Sequence, residues 1–277
     1  MRTEIAAYYR RMGEVTRLAT GDGRLEFLRT WDVLSRVLPP PPAAVLDVGG
    51  ATGAYAGPLA SAGYRVYVVD PVSEHVAAAG VLPGVTAVLG DARALGVASG
   101  SCDAVLLLGP LYHLLDRDHR IRAWREAGRV VRPGGVVVAA TISRFASMLD
   151  GFVKGFCDDP AFVEVVRRAL TSGEHRPPGD PRYFTTAYFH HPGELPGEVA
   201  DAGLVLERIV SVEGPVWMMG ERLGALLADP DRVALLLESL RGVEEEPSLL
   251  GASSHLLTVA RRPPTPPEGS DRSGVRA

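Results

Sequence analysis

A chain of 277 residues with 46% apolar content is long enough to bury the core of one large domain or two small ones. Its formal net charge of −4, with the basic residues dispersed, disfavours a nucleic-acid partner, which needs a clustered positive face. The sequence has no run of about eighteen apolar residues to span a membrane, and the two scattered cysteines, Cys102 and Cys157, speak for a reducing compartment and against zinc.

The opening stretch, MRTEIAAYYRRMGE, is charged throughout and lacks the apolar segment of a secretory leader, so the expected location is the cytoplasm. Residues 3–19 can form a helix with Ile5, Tyr8 or Tyr9, Met12 and Val15 on one face, and residues 24–38 a second with Phe27, Trp31, Leu34 and Leu38 aligned. The proline run 39–42 stops it and leads into the first strand. That strand ends in VLDVGGATG (45–53), where Asp47 is followed by a turn with Gly49, Gly50 and Gly53. A glycine turn between strand and helix lets a ligand lie against bare backbone, with a helix N-terminus aimed at it. A dinucleotide site wants G-x-G-x-x-G, and neither frame fits: from Gly49 the later positions are Ala51 and Ala54, from Gly50 they are Thr52 and Tyr55.

The next strand, YRVYVVD (64–70), ends in Asp70, placed to accept the hydroxyls of a ribose, and Pro71 follows it. VTAVLGDARAL (85–95) is a third strand, closed by Gly90, Asp91 and Ala92. CDAVLLLGPLYHL (102–114) is a buried strand that breaks at Gly109 and Pro110, and RPGGVVVAATIS (132–143) is a tight turn and a fifth strand. Alternating strands and helices predict a doubly wound, mostly parallel α/β sheet with helices on both faces, whose ligands bind at the carboxyl ends of the strands. Alternation stops after Ser143. Residues 144–192 read as two helices, the loop GEHRPPGDPRYF and the segment TTAYFHH, expected to make a lid over the site. Strands near 203–212 and 254–261 flank a helical stretch over 216–243, and the tail 263–277 is expected to be disordered. The cations are nearly all arginine, Lys154 being the only lysine, which with heavy Ala, Gly and Pro usage suggests a GC-rich bacterial genome.

Taken together, the motifs of residues 43–143 resemble the class I (Rossmann-like) S-adenosylmethionine-dependent methyltransferases, most closely the small-molecule enzymes of ubiquinone and menaquinone biosynthesis. The family's first motif, an acidic residue followed by G-x-G-x-G, stands here as Asp47, Gly49, Ala51 and Gly53, with alanine for the middle glycine. The resemblance implies a seven-stranded sheet with S-adenosylmethionine as cofactor. Gly49, Gly50 and Gly53 would cradle its methionine part, Asp70 hold the ribose, Asp91 the adenine amino group and the Ala92 N–H a ring nitrogen. Gly109 and His113 would face the reacting end. It also implies a first helix closing over the methionine part, with Tyr9 facing in, and offers Arg29 as partner of the cofactor carboxylate. The corresponding organisation is N-terminal lid helices 1–42, a cofactor-binding core 43–143, an acceptor-binding lid 144–192, the remainder of the sheet 193–262 and the tail.

A methyl transfer is an in-line displacement helped chiefly by alignment, with a base useful where the acceptor must lose a proton. No metal-ligand set such as H-E-x-x-H or C-x-x-C occurs, and none is expected. The candidate catalytic residues are His113, lining the pocket first and acting as base second, Tyr112 beside it to orient the acceptor, and His190 of the lid. His175, His191 and Arg144 are weaker candidates, His75 and His119 are expected on solvated helix faces, and His255 is read as structural. The expected function is methyl transfer to a small-molecule acceptor, through oxygen, nitrogen or carbon, in quinone-like biosynthesis or bacterial secondary metabolism, by either a monomer or a homodimer. Three other readings stay open: a non-catalytic S-adenosylmethionine-binding protein, a nicotinamide-dependent reductase, and a nucleic-acid base methyltransferase. Against the second stands the missing Tyr-x-x-x-Lys pair, since Asp150 lies four before Lys154; against the third stands Gly109-Pro110-Leu111-Tyr112, where that chemistry wants Asn or Asp before Pro-Pro.

Overall fold

A computed structural model describes residues 17–19, 21–180 and 182–265. The expected helix over 3–19, and Tyr9 with it, lies outside these residues except for 17–19, as does the tail beyond 265. The first full helix, α1 (Gly21–Val37), begins three residues earlier than its apolar spacing predicts. Alternation then proceeds as β1 (Ala44–Val48), α2 (Ala56–Ser61), β2 (Arg65–Asp70), α3 (Ser73–Gly80), β3 (Val85–Leu89) and β4 (Cys102–Leu107). A 3-10 turn at Leu111–His113 leads to α4 (Arg117–Val130) and the long β5 (Val131–Ser143). Asp116 caps α4 by accepting from the Asp118 and His119 amides.

Beyond β5 come α5 (Ala146–Val153), α6 (Pro160–Ser172), β6 (Glu174–His175), β7 (Ala187–His190) and α7 (Leu195–Asp201). The chain closes with β8 (Val205–Ser211), a 3-10 turn at Gly214–Met219, α8 (Glu221–Leu227), α9 (Pro230–Val243), α10 (Pro247–Leu250) and β9 (His255–Arg261). Asp159 and Asp229 cap α6 and α9, each with proline in the first turn where a missing N–H costs nothing.

The seven longer strands lie in the order β3-β2-β1-β4-β5-β9-β8, parallel except for β9, which runs against both its neighbours. The sheet is thus doubly wound and mostly parallel, as the alternation predicts, but it has nine strands among the described residues. β5 explains the excess. It outruns β4, whose last partner is Ala139, while β9 covers its other edge as far as Ile142. The open edge beyond β4 is filled by β7, through Ile142↔Phe189 and Ser143↔His190, and β6 pairs on β7. The segment TTAYFHH, expected in a lid, therefore extends the sheet.

Two cores result from the alternation of side chains along the strands. On one face Val45, Val68, Leu106 and Val138 pack under Val33, Leu34 and Val37 of α1. On the other Leu46, Val105, Leu107 and Val137 pack under Ala123, Trp124 and Ala127 of α4. The connection 90–101 from β3 to β4 contains no helix, and at that corner Tyr67 and Val88 are left exposed. Among the described residues no helix is long and apolar enough to cross a membrane.

Trp124 is the largest fully buried side chain. Trp124→Ala should lower the unfolding free energy by about 3–5 kcal/mol, read as a shifted denaturant midpoint with an unchanged slope.

Candidate functional site

The strand order reverses between β1 and β4, and a crevice opens there at the carboxyl ends of the strands. Its floor is the turn after β1. Gly49 has φ +73° and donates its N–H to the Val69 carbonyl at 2.7 Å. A Cβ on Gly49 would stand 2.9 Å from Pro110 Cγ, so the loops after β1 and β4 meet only because that side chain is missing. A Cβ on Gly50 would stand 2.5 Å from Asp47 Oδ2: bare backbone passes directly over this carboxylate. Ala51 also has a positive φ, 47°, a conformation that costs a non-glycine residue about 1–2 kcal/mol. Its N–H donates to Asp70 Oδ2 at 3.0 Å, which offsets part of that cost.

The resulting cleft holds about 990 Å³, its mouth included, a size suited to a cofactor. Asp47 lies in its wall at 1% exposure, and neither carboxylate oxygen has a hydrogen-bond partner. Burial, reinforced by the neighbouring Asp70 carboxylate, pushes the Asp47 carboxyl up to about 7. Asp70 is also buried, and its Oδ1 accepts the Val72 N–H at 2.9 Å and lies 3.1 Å from His75 Nδ1. At the end of β3, Arg93 grips Asp91 through its backbone and side chain, and these bonds hold the Asp91 carboxyl down at about 2. His113 is half-buried in the wall between Tyr112 and Phe184, and desolvation lowers its imidazole to about 4, so it is neutral near pH 7 and a weak base.

Of the residues singled out in the sequence, Asp47, Gly49, Gly50, Asp70, Pro71, Asp91, Ala92, Gly109, Tyr112 and His113 all line the cleft, those after β3 and those after β4 flanking the loops after β1 and β2. Gly53 does not line it. Its φ of +90° shapes the turn, and its missing side chain admits Leu82, whose Cδ1 would be 2.5 Å from a Cβ. Arg29 is a correction too. No cofactor ligand, it is fully buried and bonded to Asp32, Glu244 and the Val212 carbonyl, while Glu26, three residues before it, pairs with Arg17. His190, offered as catalytic, faces the core from β7, where it lies 3.6 Å from Glu198 and edge-on to Tyr188. His175 is equally enclosed, bonded to Ser147 at 2.7 Å and stacked on Phe189. Arg144 pairs with Glu194 and the Phe189 carbonyl.

Sequence reading missed several wall residues, among them His75, Tyr55 and Leu18. His75, expected in solvent, turns back to Asp70 from the first turn of α3. Its spacing of five from a strand-end aspartate, across a tight βα turn, was the available signal. Tyr55 and Leu18 also line the cleft, Tyr55 stacked on Phe27 of α1 with ring centroids 5.3 Å apart.

Residues 46–139 match a family of known proteins described as a methyltransferase domain. The chain is 35% identical over 105 residues, 36% of its length, to the ubiquinone biosynthesis O-methyltransferase of Methylocella silvestris. It is 29% identical over 175 residues, 61% of its length, to the enzyme of that name from Azorhizobium caulinodans. These matches span 40% and 61% of the two relatives. Among solved structures, a S-adenosylmethionine-dependent methyltransferase of Methanosarcina mazei superimposes with a TM-score of 0.57 at 16% identity, over 84% of this chain and 98% of that one, a likeness of fold.

Replacing the buried charge should stabilise the ligand-free protein. Because the folded Asp47 carboxyl sits near 7 and the unfolded one near 3.8, ionisation penalises folding increasingly from about pH 4 to 7. Asp47→Asn should therefore leave stability near wild type at pH 4 and raise it on the order of 2–4 kcal/mol at pH 8, measured by urea unfolding at the two pH values.

Proposed function

We propose that this chain, whose central domain belongs to the class I S-adenosylmethionine-dependent methyltransferases, transfers the cofactor's methyl group to a small-molecule acceptor. The observation that carries the reading is Asp47: a buried carboxylate without a partner, under a glycine that only bare backbone allows, facing a cofactor-sized cleft. Such a group fits the cationic ammonium of a bound amino acid moiety. Asp70 and Asp91 at the ends of the next two strands fit the ribose and the adenine amino group, with the Ala92 N–H beside the latter. The bound cofactor supplies a methyl group already activated on a sulfonium.

The chain's own residues then have to bind, orient and exclude water. Gly49 and Gly50 let the methionine part approach the backbone, while Gly109, Tyr112 and His113 bound the opposite side. His113 is too weakly basic to be the main source of rate, so we assign it to shaping the reacting end and Tyr112 to orienting the acceptor. Catalysis by alignment accords with this arrangement. The names of the two bacterial relatives support an acceptor of the quinone-precursor kind, with a secondary metabolite as the other candidate.

Calorimetric titration should give micromolar binding of S-adenosylmethionine and S-adenosylhomocysteine and none of NADPH; the reverse pattern would make the chain a reductase. Asp70→Ala should weaken binding at least tenfold, about 1.4 kcal/mol. Binding should also depend on pH. The ligand's ammonium favours ionised Asp47, so affinity should rise about eightfold from pH 5.5 to 6.5, below the titration of the ligand's own amino group. The same titrations on Asp47→Asn should be flat over that range.

A further inference from the structure

β8 and β9 are antiparallel neighbours, which a turn of about two residues can join. Residues 212–254 instead leave the sheet, form α8, α9 and α10, and return. This arm grips α1 twice. First, Leu25 of α1 is buried with Leu223, Leu227, Leu236 and Leu240 of α8 and α9. Beside that contact Glu244 accepts from Arg29 Nη2 at 2.7 Å and from Arg36 Nη1 at 2.7 Å, while Asp32 takes Arg29, Arg36 and Arg241. Second, Glu213 at the start of the arm holds His255 Nδ1 at 2.6 Å, and His255 lies 3.8 Å from Glu26, the partner of Arg17. Arg17 and Ser253 already bond the two carboxylates, so the trio Glu26, Glu213 and His255 is an ion relay and not a vacant cation site.

α1 in turn reaches the cleft. Phe27 stacks on Tyr55, and Leu18 follows Arg17 directly; Tyr55 and Leu18 are both wall residues. Neither Glu244 nor Asp32 touches the cleft. We propose that the 212–254 arm sets cofactor affinity from outside the cleft, with Glu244 and Asp32 as positioning residues that hold α1 so that Tyr55 and Leu18 close on the ligand. The inference rests on the cofactor reading above. Removing one partner of a buried ion pair leaves the others uncompensated, so the arm should loosen α1 before it unfolds the sheet.

The test uses the full chain with Glu244→Gln and, separately, Phe27→Leu, which leaves the ion cluster intact, keeps an apolar side chain against the core and removes the ring stacked on Tyr55. Each is read by calorimetry with S-adenosylmethionine and by amide hydrogen exchange. The expected result is a five- to twentyfold weaker Kd in both. Glu244→Gln should also speed exchange across α1 with β1, β4 and β5 still protected, and Glu244→Asp should recover part of the affinity. A lower melting temperature with wild-type Kd in the folded variants overturns the proposal, because a merely structural cluster would behave so. If Glu244→Gln does not fold, Arg241→Gln replaces it, since Asp32 keeps Arg29 and Arg36; a loss of about threefold is expected, and none would overturn the proposal. Wild-type protein that binds no S-adenosylmethionine would instead sink the cofactor reading itself.

Discussion

Two carboxylates held out of water on adjacent strands govern the site. Asp47 and Asp70 end β1 and β2, and each sets the path of the turn above it: Gly50 must be bare to pass Asp47, and Ala51 is kept left-handed by its bond to Asp70. Burial makes charge on Asp47 costly, and among the described residues nothing repays that cost. A site built this way asks its ligand for a cation. On the proposed cofactor reading, folding and binding pull in opposite directions at this one residue, a stability–function conflict typical of preorganised sites.

Much of this architecture is legible in the residues because parallel strands covered on both faces read as unbroken apolar runs. The acidic residues that interrupt or follow those runs stand where the strands leave the sheet, so the sequence alone sets Asp47, Asp70 and Asp91 on one rim. The harder residues are those whose partners are distant in the chain. Arg29 looks like a free cation on a helix until Glu244, 215 residues away, is brought beside it. The carboxylate nearest it in sequence on the helix's N-terminal side, Glu26, is taken by Arg17.

The histidines show the same limit at closer range. His190 lies in an aromatic stretch that reads as a lid, yet an unfilled edge of β5 recruits it as a strand, and its side chain is turned into the core. His75 sits on a helix with too short an apolar pattern to reveal which side faces inward, and only the tight turn from Asp70 settles it. Motif glycines are alike in sequence, so Gly53 reads as cradle there; in three dimensions Gly49 and Gly50 meet the cleft while Gly53 accommodates Leu82.

The helix-free connection from β3 to β4 has a consequence for handling the protein. β3 is an open edge of the sheet, and Tyr67 and Val88, at 41% and 49% exposure, extend that edge into a small apolar face. An unpaired edge next to apolar surface is a template for adding strands from another chain, and nature usually guards it with lysine, which this sequence almost lacks. Concentrated solutions will therefore be limited at this corner first, and a lysine at position 88 is where surface redesign for storage or crystallisation should begin.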